Sequence, residues 1–61
     1  MTPARIKRLR ARLEMSQPAF ADFLGVSVGA VRDWEQARVE PSGPAAKLLE
    51  LADLGVFKPK K

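Results

Sequence analysis

The junction at Gly25 constrains this chain more than any other feature. Phe20, Phe23 and Leu24 recur at the i, i+3, i+4 spacing of one helix face, with the small Ala21 between them, and Gly25 follows at once. A glycine just past a helix turns the chain left-handed at little steric cost. Two residues on, Ser27 has the side chain of a good N-cap, and Val31 and Trp34 mark the inward side of a further helix. Val26 is placed to pack back on Val31 across that cap. Two short helices and a glycine turn thus occupy about twenty residues.

Similar signals divide the rest of the chain. Thr2 is a favoured N-cap and Pro3 a favoured first helical residue, and Ile6, Leu9 and Leu13 then share one face. This predicts a first helix from Pro3 to about Leu13 or Glu14. Ser16 caps the next, with Pro18 tolerated in its first turn. Residues 38–43 hold Pro41, Ser42 and Gly43 in a row and read as a loop. Ser42 or Gly43 caps a last helix that begins at Pro44, carries the stripe Ala45, Leu48, Leu49 and Ala52, and ends at Gly55. There is no strand pattern and no repeat. The expectation is an all-α domain of four to five short helices over residues 1–57, with a basic C-terminal tail over 58–61. The second and third helices have helix-turn-helix spacing.

Composition removes most catalytic chemistry. The 61 residues include no Cys, His or Tyr. Zinc or haem sites built on Cys or His are excluded, as are cysteine and Ser–His–Asp nucleophiles and a disulfide scaffold. Asp22, Asp33, Glu35, Glu50 and Asp53 have no pocket-forming context, so no enzyme activity, metal or cofactor is expected. A chain this small buries only about 60% of its unfolded surface, which favours a binding surface over a deep pocket. The longest uncharged run, between Asp22 and Arg32, is far shorter than the about 20 apolar residues of a membrane span, so no membrane partner is expected. Lack of Cys fits a reducing cytoplasm.

The net charge of +4 is unevenly placed. Residues 1–13 carry Arg5, Lys7, Arg8, Arg10 and Arg12 with no acid, and Lys58, Lys60 and Lys61 close the chain, around an acidic middle. Basic ends suit a polyanion, with nucleic acid the usual one, or else form a solvated helix face and a solubilising tail. Arg5, Arg8 and Arg12 share one helix face and are open to either reading.

The run Leu13-Glu14-Met15-Ser16-Gln17-Pro18-Ala19-Phe20-Ala21-Asp22-Phe23-Leu24-Gly25-Val26-Ser27, with Val31-Arg32-Asp33-Trp34-Glu35-Gln36 after it, resembles the phage-repressor (Cro-like, Xre-like) helix-turn-helix family. The pattern of a leucine, Ser-Gln, an apolar-Ala pair, Leu-Gly-Val-Ser and Trp-Glu is in register from Ile6 to about Leu54. Trp34-Glu35-Gln36-Ala37-Arg38 and Pro41-Ser42-Gly43-Pro44-Ala45 add a finer likeness to the DNA-binding domains of HigA-type and MqsA-type antitoxins. The family often has Gly where Glu14 and Ala37 stand, and usually a fifth helix where only residues 56–61 remain.

The resemblance implies a lambda-repressor-like fold whose third helix enters the major groove while the second crosses the backbone. With Val31 and Trp34 inward, Val28, Gly29, Arg32, Asp33 and Gln36 face outward. Arg32 can fork onto guanine or bind phosphate, Val28 can meet a thymine methyl, and Asp33 can accept from cytosine. Gly29 either lets the backbone approach DNA closely or is drift. Trp34 reads as core, not as a base-stacking platform.

The resemblance also puts Gln17 on phosphate, allows Ser27 both capping and phosphate contact, and offers the Gly43-Pro44-Ala45 helix start as a second phosphate site. It pairs Arg10 with Glu35 in a partly buried ion pair. The implied function is sequence-specific double-stranded DNA binding by a transcriptional regulator, a repressor, in a bacterial or phage-associated cytoplasm at the nucleoid. The alternative is an antitoxin that binds a toxin protein and regulates its own operon. Leu51, Leu54, Val56 and Phe57 form a patch suited to a weak homodimer on a palindromic operator, unless Phe57 folds back and seals a monomer.

Overall fold

A computed structural model describes residues 1–56. Among them four helices form and no strand: α1 Pro3–Arg12, α2 Gln17–Leu24, α3 Val28–Glu35 and α4 Pro44–Asp53. Phe57 and the basic tail lie outside the described residues, and with them the question of whether Phe57 folds back.

Side chains fix three of the starts. Thr2 Oγ1 accepts from the Arg5 N–H at 3.2 Å, Ser16 Oγ from Ala19 at 3.2 Å, and Ser27 Oγ from Ala30 at 3.1 Å. Each such cap contributes about 1 kcal/mol by satisfying a helix-start donor. Of the two candidates before Pro44, Gly43 holds the cap position of α4, with no side-chain bond.

All four helices end alike. The left-handed residues Glu14 (φ 58°), Gly25 (φ 78°), Ala37 (φ 61°) and Gly55 (φ 79°) follow them. At each end a pair of N–H groups folds back on the last turn. Glu14 donates to Ala11 and Met15 to Arg10; Gly25 donates to Asp22 and Val26 to Ala21. Ala37 donates to Trp34 and Arg38 to Asp33; Gly55 donates to Ala52 and Val56 to Leu51. This Schellman arrangement satisfies carbonyls that a helix end leaves open. It stops α1 at Arg12, short of the expected Leu13 or Glu14, because Glu14 has left helical geometry. Glu14 and Ala37 therefore keep the geometry that glycine would supply, at about 1–2 kcal/mol each.

Helices of eight to ten residues are not stable alone in water, so packing decides their fate. The core takes Ile6 and Leu9 from α1, Phe20, Ala21 and Leu24 from α2, Val31 and Trp34 from α3, and Leu49 and Ala52 from α4. Leu13, Met15, Phe23, Val26, Ala45 and Leu48 pack on its edge, half-buried. Trp34 is a core residue.

Two arginines of α1 also hold the end of α4. Arg5 Nη2 donates to Asp53 Oδ2 at 2.9 Å. Arg12 Nη2 donates to Asp53 Oδ1 and to the Asp53 carbonyl, both at 3.0 Å. Each thus has an acid partner within the fold, which neither reading from sequence had supplied. The Arg5 hydrogen bond, with that of Arg12, holds the Asp53 carboxyl below its ordinary value despite partial desolvation.

Ala37→Gly removes the left-handed strain but adds about 0.5–1 kcal/mol of unfolded-chain entropy. A net gain of about 0.5–1 kcal/mol in urea unfolding is expected. Gly25→Ala should change stability in the opposite direction. A loss on Ala37→Gly would show that the methyl group matters more than the turn.

Candidate nucleic-acid interface

The site begins at a buried carboxylate. Glu35, in the last turn of α3, is the buried charged residue among those described, with 3% of its side chain exposed. Arg10 meets it side-on from α1, with Nε donating to Oε2 at 2.7 Å and Nη2 to Oε1 at 3.1 Å. Arg10 Nη1 also donates to the Met15 carbonyl, in the turn between α1 and α2, at 3.1 Å. From the first residue of α2, Gln17 Nε2 donates to Glu35 Oε1 at 3.1 Å. Burial pushes the Glu35 carboxyl up, but the hydrogen bonds from Arg10 and Gln17 outweigh it and leave it below its ordinary value. Its hydrogen bonds in turn raise the Arg10 guanidinium.

This network fixes where Gln17 stands. One N–H of its amide is committed to Glu35, and an amide nitrogen has two. The other remains to donate, at the start of α2, where Ser16 already takes the Ala19 and Phe20 N–H groups. Ser27 caps α3 and is exposed.

Along α3 the expected outward face is uneven. Arg32 is exposed and has no ion pair among the described residues. Gln36, just past the helix, is exposed, whereas Gly29 and Asp33 are half-buried. Asp33 Oδ1 lies 3.8 Å from Arg38 Nη1, a loose surface pair. Val28 does not face fully outward: it is half-buried against the core edge, because the helix start turns it toward the packed interior. A Cβ built at Gly29 meets only Ser27 Oγ, at 3.9 Å, so packing within the chain leaves room for a larger residue there. At the far end of α4, Leu54 and Val56 are 77% and 65% exposed, with Leu51 half-buried beside them.

A helix-turn-helix family model matches residues 6–52, which takes in α2 and α3 whole and most of α1 and α4. The chain belongs to the helix-turn-helix family. This helix-turn-helix chain is 44% identical over 46 residues, 75% of its length and 48% of the relative's, to an uncharacterized HTH-type transcriptional regulator, YiaG, of Escherichia coli K12. It is 37% identical over 51 residues, 84% of its length and 49% of the relative's, to the antitoxin HigA-2 of Vibrio cholerae. It thus spans about half the length of the curated relatives it matches. No solved structure gives a significant match.

Sequence reasoning missed the Gln17–Glu35 bond in this helix-turn-helix domain, and the Asp53 clamp with it. The only signal for the clamp was the shared face of Arg5 and Arg12, since their acid partner lies more than forty residues away. No described helix is long and apolar enough to cross a membrane.

Removing Glu35 leaves Arg10 and Gln17 without their acceptor. Glu35→Ala should cost well over the about 0.5 kcal/mol of an ordinary surface change, with about 3–5 kcal/mol as the ceiling for a fully buried pair. A double-mutant cycle with Arg10→Ala should show a coupling energy. The folded carboxyl lies below its ordinary 4.5, so its contribution is complete above that value and is lost as pH falls through the folded value. Stability measured down through the acid range should fall less steeply for Glu35→Gln than for the parent chain. Equal slopes, or no coupling in the cycle, would refute this role.

Proposed function

We propose that this chain is a sequence-specific double-stranded DNA-binding module of a transcriptional regulator, a repressor, with α3 in the major groove and the start of α2 on the backbone. Family membership supports the docking geometry. The observation that carries the reading is Arg32. Arg5, Arg10, Arg12 and Arg38 each have an acid partner, whereas Arg32 stands exposed on α3 without one among the described residues. A guanidinium left over on that helix is suited to fork onto guanine.

Around it, Gln17 and Ser27 serve phosphates, Asp33 accepts from cytosine, and Gln36 reaches the groove edge. Val28 offers a thymine methyl only the part of its side chain that the core leaves uncovered. Gly29, with room beside it in its own fold, supports close backbone approach to DNA. An operator-bound role places the chain with bacterial or phage DNA in the cytoplasm.

We also read Leu51, Leu54 and Val56, with Phe57, as the seat of a weak homodimer. The two large exposed apolar side chains at this end of the domain support it. A two-fold pair spaces the α3 helices about 34 Å apart, one DNA turn, and so selects a palindromic operator. The similarity to the antitoxin HigA-2 favours a second reading, in which a toxin protein is a further partner and DNA binding regulates the chain's own operon.

Selection of bound sites from random duplexes tests the main reading, with an enriched palindrome as the expected product. Arg32→Ala should weaken binding by about 1–3 kcal/mol and relax preference at one base position, whereas Gln17→Ala should weaken all sequences nearly alike. Selection that enriches no site would refute sequence-specific binding. Uniform loss with Arg32→Ala would make Arg32 a phosphate contact.

For the dimer, sedimentation should show the parent chain self-associating more strongly on operator DNA and Leu54→Glu remaining a monomer. A parent chain that occupies single half-sites without cooperativity would exclude the pair.

A further inference from the structure

Helix α1 carries arginines on two separate flanks of its core stripe. Arg10 reaches Glu35 on α3, whereas Arg5 and Arg12 reach Asp53 at the end of α4. Arg8 and Arg10 are two residues apart, a rotation of about 200° around a helix, so Arg8 lies on the flank turned away from α3. Arg5, Arg8, Arg12 and Asp53 line one open cleft of about 220 Å³, with Leu9 at its floor. Three guanidiniums against one carboxylate leave an excess of two positive charges there. Arg8 has no ion pair among the described residues, and Arg5 and Arg12 keep 52% and 58% of their side chains exposed.

Asp53 orients two of the three forks but does not saturate them. Each guanidinium has five N–H donors, and Asp53 takes few of them. The cleft is therefore a preset array of donors for planar anions. DNA docked on α3 as proposed above would approach the Arg10 flank, since Arg10 is the α1 arginine that reaches α3. A second copy of the chain seated here about a two-fold axis would set two positive clefts face to face, which is repulsive. We propose that this cleft docks an acidic segment of another protein, whose carboxylates take Arg8 and the free donors of Arg5 and Arg12. The proposal stands independently of the DNA-binding reading, because it uses the opposite side of α1.

The test is fluorescence polarisation of labelled hexaglutamate peptide with the full chain at low ionic strength, where exposed charge pairs are least screened. Arg8→Glu should weaken binding at least about tenfold, because it sets a like charge against the peptide. Its thermal unfolding should match the parent chain, since Arg8 holds nothing in the fold. Lys7→Glu makes the same charge change on the other flank and should stay within about twofold. Adding a random-sequence duplex to saturation should leave the peptide bound. Four results would each overturn the proposal: no peptide binding by the parent chain, an unchanged affinity in Arg8→Glu, an equal loss in Lys7→Glu, or displacement of the peptide by the duplex. The last would make the cleft a phosphate surface.

Discussion

The Glu35 carboxylate is the point through which three of the four helices are held at fixed angles. It accepts from Arg10 on α1 and from Gln17 at the start of α2, and it belongs to the last turn of α3. Arg10 extends the network to the Met15 carbonyl, which ties down the turn joining α1 to α2. Apolar packing alone lets short helices slide, since dispersion and burial are not directional. A bidentate pair is directional, and an amide hydrogen bond to the same oxygen is more so. The network therefore adds orientation to a core that already supplies most of the cohesion. Its members are also neighbours of the proposed DNA surface: α3 carries Arg32, and Gln17 opens α2. Any shift of Glu35 moves both together.

The chain's arginines divide by what meets them. Arg10 is committed to a buried acid, and Arg5 and Arg12 to the half-buried Asp53. Arg38 leans loosely on Asp33. Arg8 and Arg32 are left over, on different helices. Exposed pairs contribute little, about 0–1 kcal/mol, so the Asp53 clamp adds less to stability than it does to geometry. Its effect is to hold Arg5 and Arg12 along one line with Arg8. Charge that the domain does not neutralise internally is what remains to attract partners, and here it faces two directions.

Much of this was legible in the residues and some was not. Thr2, Ser16 and Ser27 could be read as caps because a short hydroxyl side chain before an apolar period has few other uses. The core stripe of each helix followed from spacing, and Trp34 with it. The resemblance implied the pairing of Arg10 with Glu35, which the structure shows, but the pairings of Arg5, Arg12 and Gln17 could not be read, because these residues find their acids only after the chain has folded. Helical spacing gives the angle of a residue and not the identity of what stands opposite. Val28 shows another limit: at the first residue of a helix, the preceding turn decides how much of the side chain is covered. The face of α3 thus resolves into an exposed Arg32, with the exposed Gln36 just past its end and Gly29 and Asp33 half-buried.

The two interhelical turns before α3 share one plan that the letters conceal. Glu14-Met15-Ser16 and Gly25-Val26-Ser27 each run from a left-handed residue, through an apolar residue packed on the core edge, to an extended serine cap. Only the second announces itself, because glycine is the residue that adopts positive φ without strain. In the first, Glu14 takes the same conformation, although its type gives no sign of it. The fold must hold it there, and it does so through Met15. Met15 is anchored at both ends: its N–H donates to the Arg10 carbonyl, and its own carbonyl accepts from the Arg10 side chain. The guanidinium that binds Glu35 thus also braces the strained turn beside it. In a domain with so small a core, strain at Glu14 persists because the same ion pair that orients α3 over-determines the backbone on its other side.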